Sequence, residues 1–521
     1  MADEQLFDDL PEQERPPAEV RGALRLRVPE RSQIGMQVAA LDDLISEDHP
    51  VRSVWAFVEG LDLSALHDVI KAREGQPGHP PAAPELMVAL WLWATVDGVG
   101  SARQLDRLCR DHLVYRWLCG GVSMNYHSLS TFRTAHMAVL ERLLAQGVAS
   151  MVQAGLVSLD TLAQDGLRVR AGAGAGSFRR HARLDDLLTA AQTRVKRLRA
   201  EVETDPATGD RRQRAARERG AREREARIAA AQQRMKELEA ERERREKTNK
   251  KEVAKQKEPR ASTTDPDARV MKMADGGWRP AYNMQIISTP EHQVIVAVDI
   301  DTSGSDRGLA QPGIETVHAE GYEPSNYLVD GGFTKHDDIE WAHAKDIKMW
   351  CPPGQTRHGT DPYAPKRDDG VGVADWRERM KGEEDKKSEA LYRLRAEHEC
   401  INAHARRMGL RQLSLRGKIK ARIHLLWFAV AHNMMRFFAL GAKEGWQRHS
   451  RKPTLTAPTK RPASGSSQPG IGVAQLPQSA ELGLIAAIQS PARPKTPRKV
   501  FFRPAAVKFC WQERNILTLS G

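Results

Sequence analysis

From about Leu41 to Gly155 the apolar positions keep a helical rhythm. Leu41, Leu44 and Ile45 begin it, and Val54, Phe57 and Val58 continue it at helical spacing. Pro84 stands where a helix accepts proline in its first turn, and Leu86, Val88, Leu90, Trp91 and Leu92 make the next segment thickly apolar. Gly98 and Gly100 close that segment, and Ser101 is placed as the N-cap of a helix running to Arg110. A third segment, from Leu113 to Leu118, closes at Cys119, Gly120 and Gly121. Ser128 or Ser130 is then expected to cap a long helix reaching Gly147. Short helices split by glycine turns, with basic residues on the second, fit a helix-turn-helix-like bundle that contacts DNA. A plain helical bundle used for dimerisation fits the same pattern.

The rhythm changes after residue 182. Leu184, Leu188, Ala191, Val195, Leu198 and Val202 alternate spacings of four and three. After a break at 204–210, Ile228, Ala231, Met235 and Leu238 repeat the pattern among residues that are almost all charged or alanine. This predicts an antiparallel coiled-coil hairpin over 182–259 with its turn at the break. It can serve as an arm for dimerisation or DNA contact, or as a solvated spacer.

Around this arm the pattern is that of strands and helices. Leu156–Ala163 reads as a strand ending at Asp165-Gly166, and 281–287 and 293–298 as a β-hairpin turning at Pro290 and leading into Asp299–Asp301. A helix is expected from about Leu309 to Gly321, a strand at 326–329, a helix at 335–344 and a strand at 347–350. Gly354–Asp375 reads as loop, Lys386–Met408 as one helix, and Ile423–Leu440 as an apolar helix after a basic turn. Without the arm the order is β-β-β-α-β-α-β-α.

Composition changes this picture in three ways. The net charge is +12, but residues 448–521 hold twelve Lys or Arg against two Glu, so most of the excess lies in a Pro- and Ser-rich tail expected to be disordered. The five cysteines, Cys109, Cys119, Cys351, Cys400 and Cys510, show no paired spacing, which excludes a zinc site or a disulfide framework and indicates a reducing cytosol. The acidic N-terminus has no signal-peptide core. Ile423–Leu440 contains His424, His432, Asn433 and Arg436, so no membrane span is expected.

The candidate chemistry is acidic. Asp165 and Asp330 follow strands, and carboxylates there converge at one sheet edge, where ligands bind in α/β folds. Glu399 lies on the late helix. At about 100° per residue, Tyr392, Arg395, Glu399 and Arg406 fall at roughly 0°, −60°, −20° and −40°, on one stripe. Three carboxylates in one cleft repel unless cations neutralise them, which makes Mg²⁺ or Mn²⁺ the default occupant. Two such ions about 4 Å apart support phosphoryl transfer, with arginines on phosphate oxygens. The blander readings are that Asp165 and Asp330 form Asp-Gly turns and that the stripe is a solvated charged face. Asp299 and Asp301 are lesser rivals, and His336 and Asp337 read as helix caps.

Taken together, Asp165-Gly166, Leu328-Val329-Asp330-Gly331-Gly332 and the Tyr392–Arg406 stripe resemble the three acidic blocks of bacterial insertion-sequence DDE transposases. The third block in that family reads Tyr-x2-Arg-x3-Glu-x6-Lys, and Arg406 stands here where lysine is usual. Pro84-Glu85-Leu86, Arg116–Gly121, Thr264–Arg269 and Arg279–Gln285 resemble the family as well, so the likeness spans roughly residues 33–440.

The resemblance implies a multidomain chain. Its parts would be a flexible leader (1–32), an all-α N-terminal DNA-binding domain (33–155), and an α/β RNase H-like catalytic domain (156–181 and 260–441) interrupted by the coiled-coil hairpin (182–259), followed by the disordered basic tail (442–521). It implies Asp165, Asp330 and Glu399 as catalytic acids holding two Mg²⁺ ions, which Mn²⁺ can replace. Tyr392, Arg395 and Arg406 would bind DNA phosphate. The implied partners are double-stranded DNA, as terminal inverted repeats and target, and a second copy in a homodimer on DNA, with no membrane and a cytoplasmic, nucleoid-associated location. The alternatives are a transposase-derived DNA-binding protein without catalysis and an RNase H-like metal-dependent nuclease that does not join strands. Phe501, Phe502, Phe509 and Trp511 make the end of the tail more apolar than disorder requires.

Overall fold

Helix α3 (Pro84–Val96) is apolar on all sides, so it can only be central. In the computed structural model, which describes residues 40–72, 79–204, 211–248, 258–353, 361–381 and 386–443, it lies amid the N-terminal helices. These are α1 (Pro50–Glu59), α2 (Ser64–Asp68), α3, α4 (Ala102–Asp111), α5 (Leu113–Cys119), α6 (Tyr126–Ala135) and α7 (Met137–Gln153). Ser101 caps α4 as expected, accepting from the Gln104 amide at 3.4 Å. The long helix expected to end at Gly147 is instead two. Asn125 caps α6, the chain breaks at His136, and α7 runs on to Gln153. The leader, the Pro/Gly tip at 205–210 and the tail beyond residue 443, with its aromatic end, lie outside the described residues.

The rest is built on one mixed sheet. Its main strands are β1 (Thr161–Arg170), β5 (Trp278–Ser288), β6 (Ile295–Asp301), β7 (Asn326–Leu328) and β8 (Lys348–Trp350). Short strands β2 (Phe178–Arg179) and β3 (Ala261–Ser262) pair with each other, and β4 (Arg269–Lys272) extends β5. Across the sheet the order is β6-β5-β1-β7-β8, with β5 antiparallel to both β6 and β1, and β7 and β8 running parallel to β1. The expected strand and helix order holds, with differences. β1 begins later and continues through Asp165 to Arg170, and a helix, α12 (Val371–Lys381), occupies the end of the expected loop.

Between β2 and β3 the chain leaves the sheet as helices α8 (His181–Thr204) and α9 (Arg211–Thr248). They run antiparallel, since His181 meets Glu239 at 3.0 Å and Arg199 meets Glu218 at 3.7 Å. Leu184, Ala191 and Val195 are buried on one helix, and Ile228, Ala231, Met235 and Leu238 on the other.

Both faces of the sheet are covered. On one, α10 (Ala310–Ala319), α11 (His336–His343) and α12 bury Ile314, Val317, Phe333, Ile339 and Trp376 against Leu162, Ile287 and Tyr327. On the other, the closing helix α15 (Lys418–Lys443) lies in a core shared by the sheet and the N-terminal helices. By length and composition α15 passes for a membrane span, yet most of it is buried inside the fold, where a core helix belongs. Its polar residues hold the β5–β6 turn. Asn433 both accepts from the Ile295 amide (2.8 Å) and donates to the Ile295 carbonyl (2.7 Å). Arg436 donates to the His292 carbonyl at 2.8 Å, and His432 Nε2 sits 2.7 Å from the Gln293 carbonyl. Trp427 donates to the Arg133 carbonyl of α6 at 3.1 Å, which ties α15 to the N-terminal helices.

Burial drives the rings of His424 and His432 down to about 3, from an ordinary 6.5, so both are neutral in the fold. Unfolding frees them to take a proton, so their contribution is complete above about pH 6.5 and fades as pH falls toward 3. Each group then costs about 1.4 kcal/mol per pH unit. The urea midpoint of the full chain is therefore expected to drop between about pH 7.5 and pH 5, and His432→Gln to drop less steeply. A midpoint unmoved over that range would mean the rings are charged inside the fold.

Candidate active site

Asp165 is the fifth residue of β1, in mid-strand and not at a strand end, and Gly166 beside it forms no turn. Alternation puts Asp165 on the same face as Ala163 and gives Gly166 the opposite one. There an added Cβ would collide with Asp306 Oδ1 and lie 2.8 Å from Asn283 Oδ1 and 2.9 Å from Gln285 Nε2. Asp306 is fixed there by the Asn283 and Gln285 amides at 2.6 and 3.0 Å, and it does not cap α10. A glycine is thus needed for space.

Asp330 follows β7 and accepts from the Gly332 amide at 2.7 Å, capping a short 3-10 turn over Gly331–Phe333. β1 and β7 are parallel with Ala163 beside Leu328, and Asp330, two residues past that last pair, is near enough for its charge to act on Asp165. The small cluster of Ala163, Leu328 and Trp350, with Tyr392 and Leu394 against it, covers this face.

The expected helix over Lys386–Met408 is interrupted. It comprises α13 (Lys386–Arg393), a 3-10 turn at Leu394–Glu397, and α14 (His398–Arg407). Tyr392 is half-buried and donates to the Val329 carbonyl at 3.4 Å, next to Asp330. Burial raises its phenol, and Arg395 hydrogen-bonds to it. Arg395 also lies close enough for its charge to act on Asp165. Asn402 donates to Asp165 Oδ2 at 2.7 Å, while Asp165 Oδ1 accepts from the Gly166 amide at 2.9 Å. Burial pushes the Asp165 carboxyl up to about 6. The Gly166 amide, Arg395 and Asn402 draw it back, and the charge of Asp330 adds to the rise.

Asp165, Asp330, Tyr392 and Arg395 are therefore neighbours. Glu399 and Arg406 lie in the first and last turns of α14, both exposed. Among the described residues no three His, Cys, Asp or Glu side chains are close enough to hold a metal, so Glu399 is not gathered with the two aspartates. What is gathered still suits a divalent cation. The two carboxylates oppose each other's charge, and the Oδ1 of Asn402 is buried without a hydrogen bond. These are hard oxygen donors of the kind Mg²⁺ and Mn²⁺ take. Of the rivals, Asp299 pairs with Arg422 at 3.5 Å and Asp301 caps its own turn through the Ser303 amide.

Residues 253–434 match the family described as "Transposase DDE domain", and residues 39–135 the one described as "Transposase domain (DUF772)". The chain thus carries a transposase DDE domain beside a second transposase domain. No curated protein and no solved structure matches it. Asp330, Glu399 and the whole arginine stripe lie inside the DDE match, whereas β1 with Asp165 precedes it. A transposase DDE domain implies a DNA-acting protein of the nuclease and transposase activity class.

Sequence reasoning passed over Asn402 and Ser288. At ideal helical pitch Asn402 falls about −80° from Tyr392, on the edge of the stripe, so periodicity carried a signal. Nothing in the sequence pairs Ser288 with His398, which meet at 2.9 Å between β5 and α14. Gly166→Ala is expected to destabilise this transposase by about 1–3 kcal/mol in urea unfolding, through overpacking against Asp306. A cost near zero would mean that Asp306 has room to move.

Proposed function

We propose that the chain is the transposase of a bacterial insertion sequence, cutting its element's ends and joining them to target DNA with Asp165, Asp330 and Glu399 as catalytic acids. The observation that carries this reading is the pair of neighbouring carboxylates, Asp165 in β1 and Asp330 just past β7, with α14 hydrogen-bonded to the first through Asn402. The strand order supports an RNase H-like core, three antiparallel strands followed by two parallel to the first. The three acids would hold two Mg²⁺ ions, or Mn²⁺, which when bound polarise the attacking oxygen and stabilise the leaving one.

The chain's own residues supply position. Arg395, held by Tyr392, and Arg406 grip phosphate oxygens of the element end, and Arg406 does so with a fork where lysine would give a point charge. Water's oxygen attacks the phosphodiester at the end of the element, breaking the P–O bond and leaving a 3′-hydroxyl. That hydroxyl then attacks a target phosphodiester in the same site, forming one P–O bond and breaking another. Glu399, exposed on α14 three residues before Asn402, completes the acidic set on the DNA-bound protein. The N-terminal helices read the terminal inverted repeats, with Arg103, Arg107 and Arg110 on the exposed face of α4. The basic tail adds salt-sensitive affinity. Two ends held together require at least a dimer, and the α8–α9 arm, read as a coiled coil, is available to it.

The exposed position of Glu399 also suits a chain that binds DNA without cutting it. Labelled element-end duplex with Mg²⁺ separates the two readings. Wild type is expected to cleave and join, and Glu399→Gln to lose at least about a hundredfold of both while still binding DNA. Equal activity in the two proteins would move the catalytic acids elsewhere. Cleavage without joined product would make the chain a nuclease, and binding without cleavage by either would make it a relic.

A further inference from the structure

Helix α14 touches the sheet at two points one turn apart. His398 Nδ1 lies 2.9 Å from Ser288 Oγ on β5, and Asn402 Nδ2 donates to Asp165 Oδ2 on β1 at 2.7 Å. Ser288 and Ala163 are cross-strand partners, so the two contacts bridge adjacent strands just behind the paired carboxylates. Ile401 and Ala405 are buried on the core side of the helix and fix its rotation. Glu399 lies between the two anchors, three residues before Asn402, hence on a neighbouring line of the same helix surface.

A carboxamide has two ends, and only one of those in Asn402 is used. Its N–H₂ is spent on Asp165. Its Oδ1 is shielded from solvent and accepts no hydrogen bond in the protein. A buried carbonyl oxygen left without a partner costs about 1–3 kcal/mol, which an apolar residue of the same shape would avoid. The pairing with Asp165 likewise needs an uncharged donor there, because a carboxylate at 402 would add a like charge to two that already oppose each other. A neutral oxygen placed against acidic ones is the mixture that hard divalent cations accept, as carboxylates together with Asn carbonyls.

We propose that Asn402 is a further member of the metal site, fixing Asp165 through its amide nitrogen and offering its Oδ1 to the divalent cation held by Asp165 and Asp330. The proposal rests on the reading of those aspartates as metal ligands. It assigns to the helix a role beyond carrying Glu399. With Glu399 exposed, Asn402 is the group by which α14 touches the aspartates directly. Cation binding and helix position are thereby linked, since the same side chain contacts both.

The test is Mn²⁺ binding to the DNA-free full-length chain, read from the paramagnetic resonance signal of free Mn²⁺. Wild type, Asp165→Asn and Asn402→Leu are compared, with thermal unfolding of each as the check on folding. Asp165→Asn is expected to abolish binding, and Asn402→Leu to weaken it about 10–100-fold. Should Asn402→Leu fail to fold, Asn402→Ser replaces it, with loss in the same direction expected. Wild-type affinity in a folded Asn402 variant, beside loss in Asp165→Asn, would overturn the role of Asn402 and leave the aspartates standing. Wild-type affinity in Asp165→Asn would overturn the aspartate reading, and the role of Asn402 with it.

Discussion

Two neighbouring carboxylates, Asp165 within β1 and Asp330 just past the end of β7, repel each other, and their surroundings answer that repulsion. Asp165 is the more constrained of the two. Its oxygens are taken by the Gly166 amide and by Asn402, Arg395 offsets part of its charge, and burial with Asp330 nearby still holds its carboxyl near 6. Asp330 is turned by its own bond to the Gly332 amide. Carboxylates held together against their mutual repulsion are poised for a cation, because charge neutralisation is the larger energy in a partly buried site.

Holding that arrangement requires a helix pinned to the sheet, and the fold pins α14 from both ends. Its first turns are tied to β1 and β5. Past its C-terminus, Gly409 comes against Gly98 of the N-terminal region, backbone to backbone, at a separation where an added Cβ would lie 3.2 Å from the Gly98 carbonyl oxygen. Both glycines have positive φ, so each serves the turn as well as the approach. Arg133 reinforces the junction. It is buried, stacked over Trp91 at 4.8 Å, bonded to the Gly100 carbonyl, and 3.4 Å from Ser414 Oγ. The N-terminal helices therefore share a core with the main sheet and touch the loop that follows α14. DNA held by those helices would act on α14 through packed contacts.

Much of this was legible in the sequence because it rests on periodicity. Pro84 and a thickly apolar run located α3, Gly98 and Gly100 marked its end, Ser101 marked the start of α4, and two β-rich runs joined at Pro290 marked the β5–β6 hairpin. The stripe of Tyr392, Arg395 and Glu399 assumes one continuous helix, which the 3-10 turn at Leu394–Glu397 divides. What escaped depends on partners far apart in the chain. The end of β1 was misplaced because Asp165-Gly166 is chemically a turn sequence, and only the Asp306 network on the neighbouring strands shows why that glycine sits in mid-strand. Asn402 carries no charge and drew no attention beside Glu399 and Arg406, yet it makes the direct contact with Asp165. The split of the α6–α7 segment at His136 likewise reflects tertiary packing overriding local propensity.

Ligation of a divalent cation by Asp165 and Asp330, as proposed, is open to test by a change of metal preference. Asp165→Cys replaces a hard oxygen with a soft thiolate, which Mg²⁺ accepts poorly and Mn²⁺ better. This variant is expected to cleave element-end DNA with Mn²⁺ and not with Mg²⁺, where wild type uses both. Undiminished cleavage with Mg²⁺ would contradict it.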